Sequence, residues 1–264
     1  MAATALPLLL VRRQLAVALY GQVLECELPG DDEPVAVKCI SLTRAAEAQS
    51  QVQTTRKIDN PMQEQRVLEL LMTSGGHRNV VQPLFHFTHN RNLYFVSELC
   101  RGGDLHSLVA QRQNADLFLE ENEVTSLMQQ VLEGVHYLHT TVGVAHRDLS
   151  LENVLLSNGV CKITDFGLST DAHTVCDAGL VGKEYYMAPE IVAGEKYDPV
   201  LADVWSLGIM WFIMLTGSPL LSLASLSEKD FGAFAKYGVG AVIEVSRRPH
   251  LGERDLAPGE DAAD

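Results

Sequence analysis

Apolar and polar residues alternate through the first hundred positions, a pattern typical of strands that bury one face. We predict five strands there, over residues 6–11, 20–27, 35–40, 84–87 and 93–98. The turn formers Gly30 and Asn90 lie between neighbouring runs. One helix is expected between them, starting at Asn60 and Pro61 and ending near Thr73 before a Ser-Gly-Gly stop. These elements predict a small β-rich lobe.

Apolar positions after about residue 99 recur at three- and four-residue steps, which predicts helices. The clearest stripe is formed by Val124, Leu127, Met128, Val131, Leu132, Val135 and Leu138. Two short strands are expected near residues 154–155 and 160–163. Residues 207–215 are apolar on all sides but fall short of the roughly 18 residues that a membrane span needs. We therefore expect a buried helix there and no membrane span.

The composition limits which partners and which cellular compartments we expect for this chain. The chain has 264 residues, 47% of them hydrophobic, which is enough for one domain with a large core. Its formal net charge of −14 disfavours binding to nucleic acid or to an anionic membrane, and it suits basic protein partners. The five cysteines are scattered without a Cys-x-x-Cys pair, so we expect a reducing location, cytoplasmic and also nuclear.

Three short motifs follow one another along the chain: Val35-Ala36-Val37-Lys38, then His146-Arg147-Asp148-Leu149 with Asn153, then Asp165-Phe166-Gly167. Phosphoryl transfer from ATP needs a cation on the phosphates, a carboxylate that receives the hydroxyl proton, and oxygen ligands for magnesium. In their order and separation these motifs resemble those of eukaryotic protein kinases. The resemblance covers about residues 16–234.

The type of kinase is indicated by two further runs. Residues 186–190, Tyr-Met-Ala-Pro-Glu, and the Leu-Glu-Asn ending of the catalytic loop resemble serine/threonine kinases, nearest the calcium/calmodulin-dependent-like group. The resemblance implies an α+β, bilobal protein-kinase-like fold over residues 1–264, with an N-lobe at 1–98 and a mainly helical C-lobe at 99–251. We expect the C-lobe to be incomplete and residues 252–264, rich in Pro, Gly, Ala and acids, to be disordered.

The resemblance also implies which side chains do the chemistry, with ATP and Mg²⁺ as cofactors. The catalytic set is Asp148 as the base, Lys38, Glu64 and Arg147, and the magnesium ligands are Asn153 and Asp165. We add Lys183 to the catalytic set on a separate hypothesis, which rests on a departure from the family and is given below. Lys38 and Ala36 share a face of an extended strand, so both can meet the nucleotide. Glu64 and Leu68 share one helix face, whereas the competing Glu69 points away. Arg147 is expected to couple the catalytic loop to a phosphorylated activation segment.

The nucleotide itself is expected to meet a wider group of residues. They are Gly21, Val23, Ala36, Lys38, Ser97, Glu98, Cys100, Asp104, Leu155 and Asp165. Ser97 occupies the position that gates the back of the nucleotide pocket in this family, and it is unusually small. Glu152 and Asp104 match positions that often receive arginines of a substrate; for each, a plain surface acid is the alternative.

The chain departs from the family at several functional positions. Ala16 and Ala18 replace two glycines of the glycine-rich loop, which weakens the expected hold on phosphate. Ser150 replaces the lysine that steadies the transferred phosphoryl charge, and Lys183 replaces a threonine. One hypothesis is that Lys183 supplies the missing cation; the alternative is a solvated surface lysine. Two readings of function follow: an active serine/threonine kinase, or a pseudokinase-like scaffold or inactive fragment.

Overall fold

The computed structural model describes residues 9–30, 33–51 and 56–247. Its N-terminal part is an antiparallel sheet with the strand order β1-β2-β3-β5-β4. The strands are β1 (Leu10–Ala18), β2 (Gly21–Glu27), β3 (Val35–Ser41), β4 (Pro83–His89) and β5 (Asn92–Glu98). The five-stranded N-lobe predicted from alternation is confirmed.

The first strand is placed later than predicted. Residues 6–8 lie outside the described residues, and β1 continues to Ala18, through the stretch expected to be the glycine-rich loop. Ala18 pairs with Gly21, so the loop is a tight hairpin turn at Leu19 and Tyr20. The reason is that Leu10 to Ala18 can pair along the whole length of β2.

Two helices, not one, accompany the sheet. They are α1 (Leu42–Gln51) and α2 (Pro61–Thr73). α1 was missed because it buries mainly one small side chain, Ala45, so it has no strong apolar stripe. α2 starts as predicted, with the Asn60 side chain accepting a hydrogen bond of 3.0 Å from the Met62 N–H.

The C-lobe is mainly helical, as predicted. Its helices are α3 (Leu105–Asn114), α4 (Glu121–Tyr137), α5 (Pro189–Val192), α6 (Pro199–Thr216) and α7 (Lys229–Arg247). Its strands are β6 (Val144–Ala145), β7 (Val154–Ser157), β8 (Val160–Ile163) and β9 (Thr170–Asp171), with β7 paired to β8 and β6 to β9. The segment expected to be disordered, residues 252–264, lies outside the described residues.

One apolar cluster joins the two lobes. Val67 and Leu71 of α2 belong to the same cluster as Met128 of α4 and Phe166 beside the predicted magnesium ligand. All four side chains are buried. Burial of this kind stabilises by about 1.5–3 kcal/mol for each large apolar side chain. α2 is therefore held against the C-lobe by packing as well as by charge.

Helix α6 is the one helix among the described residues that is long and apolar enough to cross a membrane. More than half of it, 56%, is buried inside the protein, and its Asp203 is fully buried. Trp211 and Leu215 remain exposed on the opposite face, so the helix predicted over residues 207–215 is buried on one side and not all round. A buried aspartate with protein partners makes α6 a core helix of the C-lobe.

Gly21 is required by strand packing. A Cβ atom at this position would lie 1.8 Å from the backbone oxygen of Cys39 in β3. No real Cβ approaches a backbone atom so closely, and backbone cannot swing aside as a side chain can. The only glycine that survives from the family's loop thus keeps β2 and β3 together, and its contact with nucleotide stays a prediction.

We predict that Gly21→Ala lowers the free energy of unfolding by about 1–3 kcal/mol or more, because the added methyl group overlaps β3. Urea denaturation followed by circular dichroism measures this loss. Gly208→Ala is the matched control, since a Cβ there meets nothing within 4 Å and Ala favours a helix. Equal stability of wild type and Gly21→Ala would contradict the packing argument.

Candidate active site

Lys38 lies at the centre of three charged side chains that come from different parts of the fold. Its Nζ is 2.7 and 2.9 Å from the two carboxylate oxygens of Glu64, and 2.9 Å from Oδ1 of Asp165. β3 carries the lysine, α2 the glutamate, and the segment after β8 the aspartate. The competing Glu69 instead accepts a hydrogen bond from Gln65 at the surface. The structure thus brings together the three residues that the motifs single out.

Burial and mutual attraction set the charges of this group. Burial raises the pKa of Glu64 to about 7, an effect that the Lys38 ammonium opposes. Burial also works against the charge on Lys38, but the carboxylates of Glu64 and Asp165 together raise the pKa of Lys38 well above its usual range. Burial disfavours ionised Asp165 as well, yet Lys38 lowers the pKa of Asp165. The ammonium is therefore held in the charged form that attracts phosphate.

The catalytic loop is held by the buried carboxylate of Asp203 in α6. Its Oδ2 accepts a hydrogen bond from the His146 N–H and its Oδ1 accepts one from the Arg147 N–H, both at 2.7 Å. The ring of His139 lies 2.8 Å from Oδ2. Arg147 has a φ of 64°, a left-handed conformation that is costly for any residue other than glycine. The carboxylate therefore holds the loop in a shape it would not adopt alone.

The predicted base and one predicted magnesium ligand are joined directly. The Asn153 side-chain N–H donates to the backbone oxygen of Asp148 at 2.7 Å and to its Oδ2 at 2.9 Å. Burial raises the pKa of Asp148, while the charges of His146 and Lys183 oppose that rise. Because the amide nitrogen of Asn153 makes both contacts, its amide oxygen takes no part in them.

Arg147 reaches the activation segment, residues 167–188. Its Nε donates to the backbone oxygen of Leu168 at 2.8 Å, and its Nη1 donates to the hydroxyl of Tyr197 at 3.1 Å. The guanidinium thus joins residues 146–153 to the start of this segment through a backbone contact, and to Tyr197, beyond its end, through a hydroxyl contact. Its pairing with a phosphorylated segment stays a prediction.

Strand register places the predicted adenine contacts on one face of the sheet. Val23 is paired with Lys38, and Ala36 is paired with Ser97. Directly opposed residues in antiparallel strands share a face, so these side chains lie on the Lys38 side. Leu155, in β7 of the C-lobe, is half-buried. The register therefore agrees with a nucleotide position beneath the sheet.

Two of the expected nucleotide contacts, Glu98 and Cys100, lie at the end of β5 and just after it. Glu98 accepts a hydrogen bond of 2.7 Å from Lys162 in β8, so its side chain ties the two lobes together. The backbone of Cys100 makes no hydrogen bond with another described residue, and burial raises the pKa of its thiol to about 11. Asp104 caps α3 by accepting a hydrogen bond of 2.7 Å from the Ser107 N–H. The Cys100 backbone is thus without a partner among the described residues, whereas the Glu98 N–H donates to the Gln82 backbone oxygen at 3.1 Å. Contacts of Cys100 and Asp104 with nucleotide stay predictions.

Two positions that depart from the family are neighbours in space. Lys183 donates from Nζ to the Ser150 hydroxyl at 2.8 Å, although the residues are 33 positions apart in sequence. The same Nζ lies 3.3 Å from the carboxylate of Glu152. The structure therefore places a lysine head group where the chain lacks the catalytic-loop lysine of the family.

Two further residues near Lys38, Tyr20 and Asp59, were not among the expected site residues. Tyr20 is buried, and its hydroxyl donates to the backbone oxygen of Asp59 at 3.3 Å. Burial and the neighbouring Asp165 carboxylate raise the pKa of Asp59 to about 6. Both residues line a small cavity with Lys38. The only sequence signal was the position of Asp59 directly before the helix start at Asn60.

Comparison with known proteins agrees with this geometry. Residues 12–244 match the protein kinase domain family. The chain is 31% identical to CBL-interacting protein kinase 31 of Oryza sativa subsp. japonica, over 89% of this chain and 51% of that protein. It is 33% identical to CBL-interacting serine/threonine-protein kinase 1 of Arabidopsis thaliana, over 78% of this chain and 44% of that protein.

A third similar protein also matches more than two thirds of this chain. Serine/threonine-protein kinase hal4 of Schizosaccharomyces pombe is 35% identical over 71% of this chain and 29% of that protein. The chain thus spans between 29% and 51% of the length of these three relatives.

We predict that Asp203→Asn lowers the free energy of unfolding by at least about 3 kcal/mol, because an amide nitrogen would face buried donors. Thermal and urea unfolding measure the loss. Asp198→Asn is the matched control on the same helix, since Asp198 caps α6 through the Val200 N–H and Asn caps equally well. Similar stability of the two variants would show that Asp203 does not hold the loop.

Proposed function

Because the chain belongs to the protein kinase family, we propose that it is an ATP-dependent protein kinase that phosphorylates serine or threonine. The main support is that the Lys38 ammonium contacts both carboxylate oxygens of Glu64 and also contacts Asp165. In this reaction class, catalysis is mostly positioning and charge stabilisation of the phosphoryl group. A charged lysine fixed by the buried carboxylate of Glu64 and the partly exposed carboxylate of Asp165 provides both.

The residues present fit ATP and Mg²⁺. Asn153 uses its amide nitrogen to contact Asp148, so its amide oxygen is not engaged in these hydrogen bonds. Lys38 lowers the pKa of Asp165, which favours the charged carboxylate, and the Asp165 backbone has a φ of 68°. Carboxylate and amide oxygens are ligands that Mg²⁺ accepts, and we propose these two as its holders. When bound, the metal neutralises charge on the phosphates. Lys38 would contact the α- and β-phosphates.

The proposed chemistry needs one proton acceptor. In the transfer step, the hydroxyl oxygen of the protein substrate bonds to the γ-phosphorus while the bond from that phosphorus to ADP breaks. The hydroxyl proton passes to the carboxylate of Asp148. Its contact with Asn153 orients this carboxylate, and Asp203 fixes the backbone on which it stands. Asp148 is therefore proposed as the base.

The proposed substrate is a protein hydroxyl, and its sequence context is a finer expectation. The acidic chain suits basic residues before the acceptor. However, Glu152 is paired with Lys183, and Asp104 caps α3. A preference for basic residues therefore stays a prediction, which a peptide panel with arginine at successive positions tests. We also propose a reducing compartment, cytoplasm or nucleus, which the five free cysteines support.

The scaffold alternative rests on Ala16 and Ala18, which replace two loop glycines, and on Ser150, which replaces the catalytic-loop lysine of the family. A protein that only binds nucleotide would gain thermal stability with Mg·ATP but transfer no phosphate. The two functions are thus separated by measuring both quantities on the same sample. The contact of Asn153 with Asp148 favours the kinase, because it orients a proton acceptor that nucleotide binding alone does not use.

We predict that Asp148→Asn and Lys38→Met each lower kcat at least about 100-fold, because they remove the proton acceptor and the phosphate cation. Radiolabelled phosphate transfer to a basic peptide measures the change. Lys196→Met is the control, since Lys196 is an exposed lysine paired with Asp177. Wild-type turnover in Asp148→Asn would refute the assignment of the base.

A second prediction concerns the nucleotide pocket. Ser97 faces the Lys38 side of the sheet through its pairing with Ala36, and its small side chain leaves room behind adenine. We expect ATP-competitive inhibitors with bulky aromatic extensions to bind wild type at least about tenfold more tightly than Ser97→Met. Inhibitors without the extension serve as the control. Equal inhibition of both forms by the bulky compounds would mean that Ser97 does not gate the pocket.

A further inference from the structure

Lys183 is held in place by the residues on either side of it. Gly182 has a φ of +83°, and a Cβ there would lie 2.8 Å from the backbone oxygen of Arg147. Only glycine allows so close an approach to the catalytic loop. Arg56 donates to the Gly182 backbone oxygen at 3.0 Å and to the Glu184 carboxylate at 3.4 Å. The backbone that carries Lys183 is therefore fixed against the loop that carries the proposed base.

The side chain of Lys183 points along that loop. Its Nζ donates to the Ser150 hydroxyl at 2.8 Å, and Ser150 is fully buried. It also lies 3.3 Å from Glu152, and its side chain is 38% exposed. An ammonium carries three N–H donors, so two protein contacts leave one for another acceptor.

The charges around the site need a second cation. Lys38 is already engaged with Glu64 and Asp165 on the sheet side. On the catalytic-loop side, Asp148 stands next to the activation segment, where a Cβ at Gly182 would lie 3.3 Å from its Oδ1. A phosphoryl group in transfer develops negative charge that fixed donors and cations must stabilise. Lys183 brings such a cation to that side.

We propose that the Lys183 ammonium contacts the transferring phosphoryl group and replaces the catalytic-loop lysine that this chain lacks at Ser150. The inference rests on the proposed function and deepens it. The bonds are those of the transfer already described: oxygen to phosphorus forms, phosphorus to ADP breaks, and the proton goes to Asp148. Lys183 neither gains nor loses a proton; it contributes positive charge.

The competing explanation is a surface lysine that merely neutralises Glu152. Exposed ion pairs of this kind contribute little to stability. The two explanations differ in what rescues the loss of Lys183. A relocated cation is recovered by a lysine at position 150, whereas a neutralising partner becomes dispensable once Glu152 is uncharged.

The kinetic test compares Lys183→Thr, Ser150→Lys and the double variant in the complete chain. We expect Lys183→Thr to lower kcat about 100-fold with little change in KM for the peptide, the loss typical of one transition-state donor. Ser150→Lys combined with Lys183→Thr should regain at least tenfold, a non-additive result expected of neighbours. Lys196→Thr is the matched surface-lysine control and should keep wild-type kcat.

A second readout does not depend on turnover. Calorimetry measures the affinity for Mg²⁺ with a non-hydrolysable ATP analogue and for Mg·ADP. We expect Lys183→Thr to weaken the triphosphate at least threefold and to leave ADP unchanged, because only the triphosphate carries the group that the ammonium contacts. The double variant should restore the difference. Lys183→Met keeps the apolar stem and replaces Lys183→Thr if the threonine form unfolds.

Each outcome decides the matter. If wild type transfers phosphate and Lys183→Thr retains its kcat, the inference is wrong while the kinase assignment stands. If Glu152→Gln restores activity to Lys183→Thr and Ser150→Lys does not, Lys183 only neutralises Glu152. If wild type transfers no phosphate and binds neither nucleotide, the proposed function itself fails.

Discussion

The carboxylate of Asp203 is the constraint on which the site depends. It is fully buried, and it accepts hydrogen bonds from two successive backbone N–H groups of the catalytic loop. A buried carboxylate without partners would be strongly unfavourable, so the loop and the aspartate stabilise each other. Because the same loop carries Asp148 and leads to Asn153, the position of the proposed base follows from the core of helix α6. The geometry of the proposed site is thus a property of C-lobe packing.

A second set of contacts makes the two lobes interdependent. Lys38 belongs to the sheet, Glu64 to α2 and Asp165 to the C-lobe. The Lys38 ammonium is within hydrogen-bond distance of both carboxylates. The apolar cluster that contains Val67 and Phe166 lies beside them. Charge alone would be a weak clamp, since buried ion pairs lose solvation. Apolar packing holds α2 in place, and the ion pairs then fix the orientation of the lysine.

Much of the architecture could be predicted from the sequence, because strands and helices leave periodic patterns and the motifs are local. Helix α1 could not, because its small side chains give no apolar stripe. Tyr20 and Asp59 meet through one backbone oxygen, which no residue pattern encodes. The motif match singled out Gly21 for contact with nucleotide, which stays a prediction. No motif encodes the backbone oxygen of Cys39, which leaves no room for a Cβ at this position. Contacts between distant segments and backbone close approaches are what a single sequence conceals.

Residues 56 and 57, which precede α2, are hydrogen-bonded to the activation segment. The Lys57 N–H donates to the backbone oxygen of Leu180 at 2.7 Å, two residues before the glycine that Arg56 also holds. The peptide that presents Lys183 is thus anchored to the N-lobe at one side and to the catalytic loop at the other. A rotation between the lobes would have to break these hydrogen bonds or carry residues 180–182 with the N-lobe. The place of the Lys183 head group beside Ser150 therefore depends on how the two lobes are set against each other.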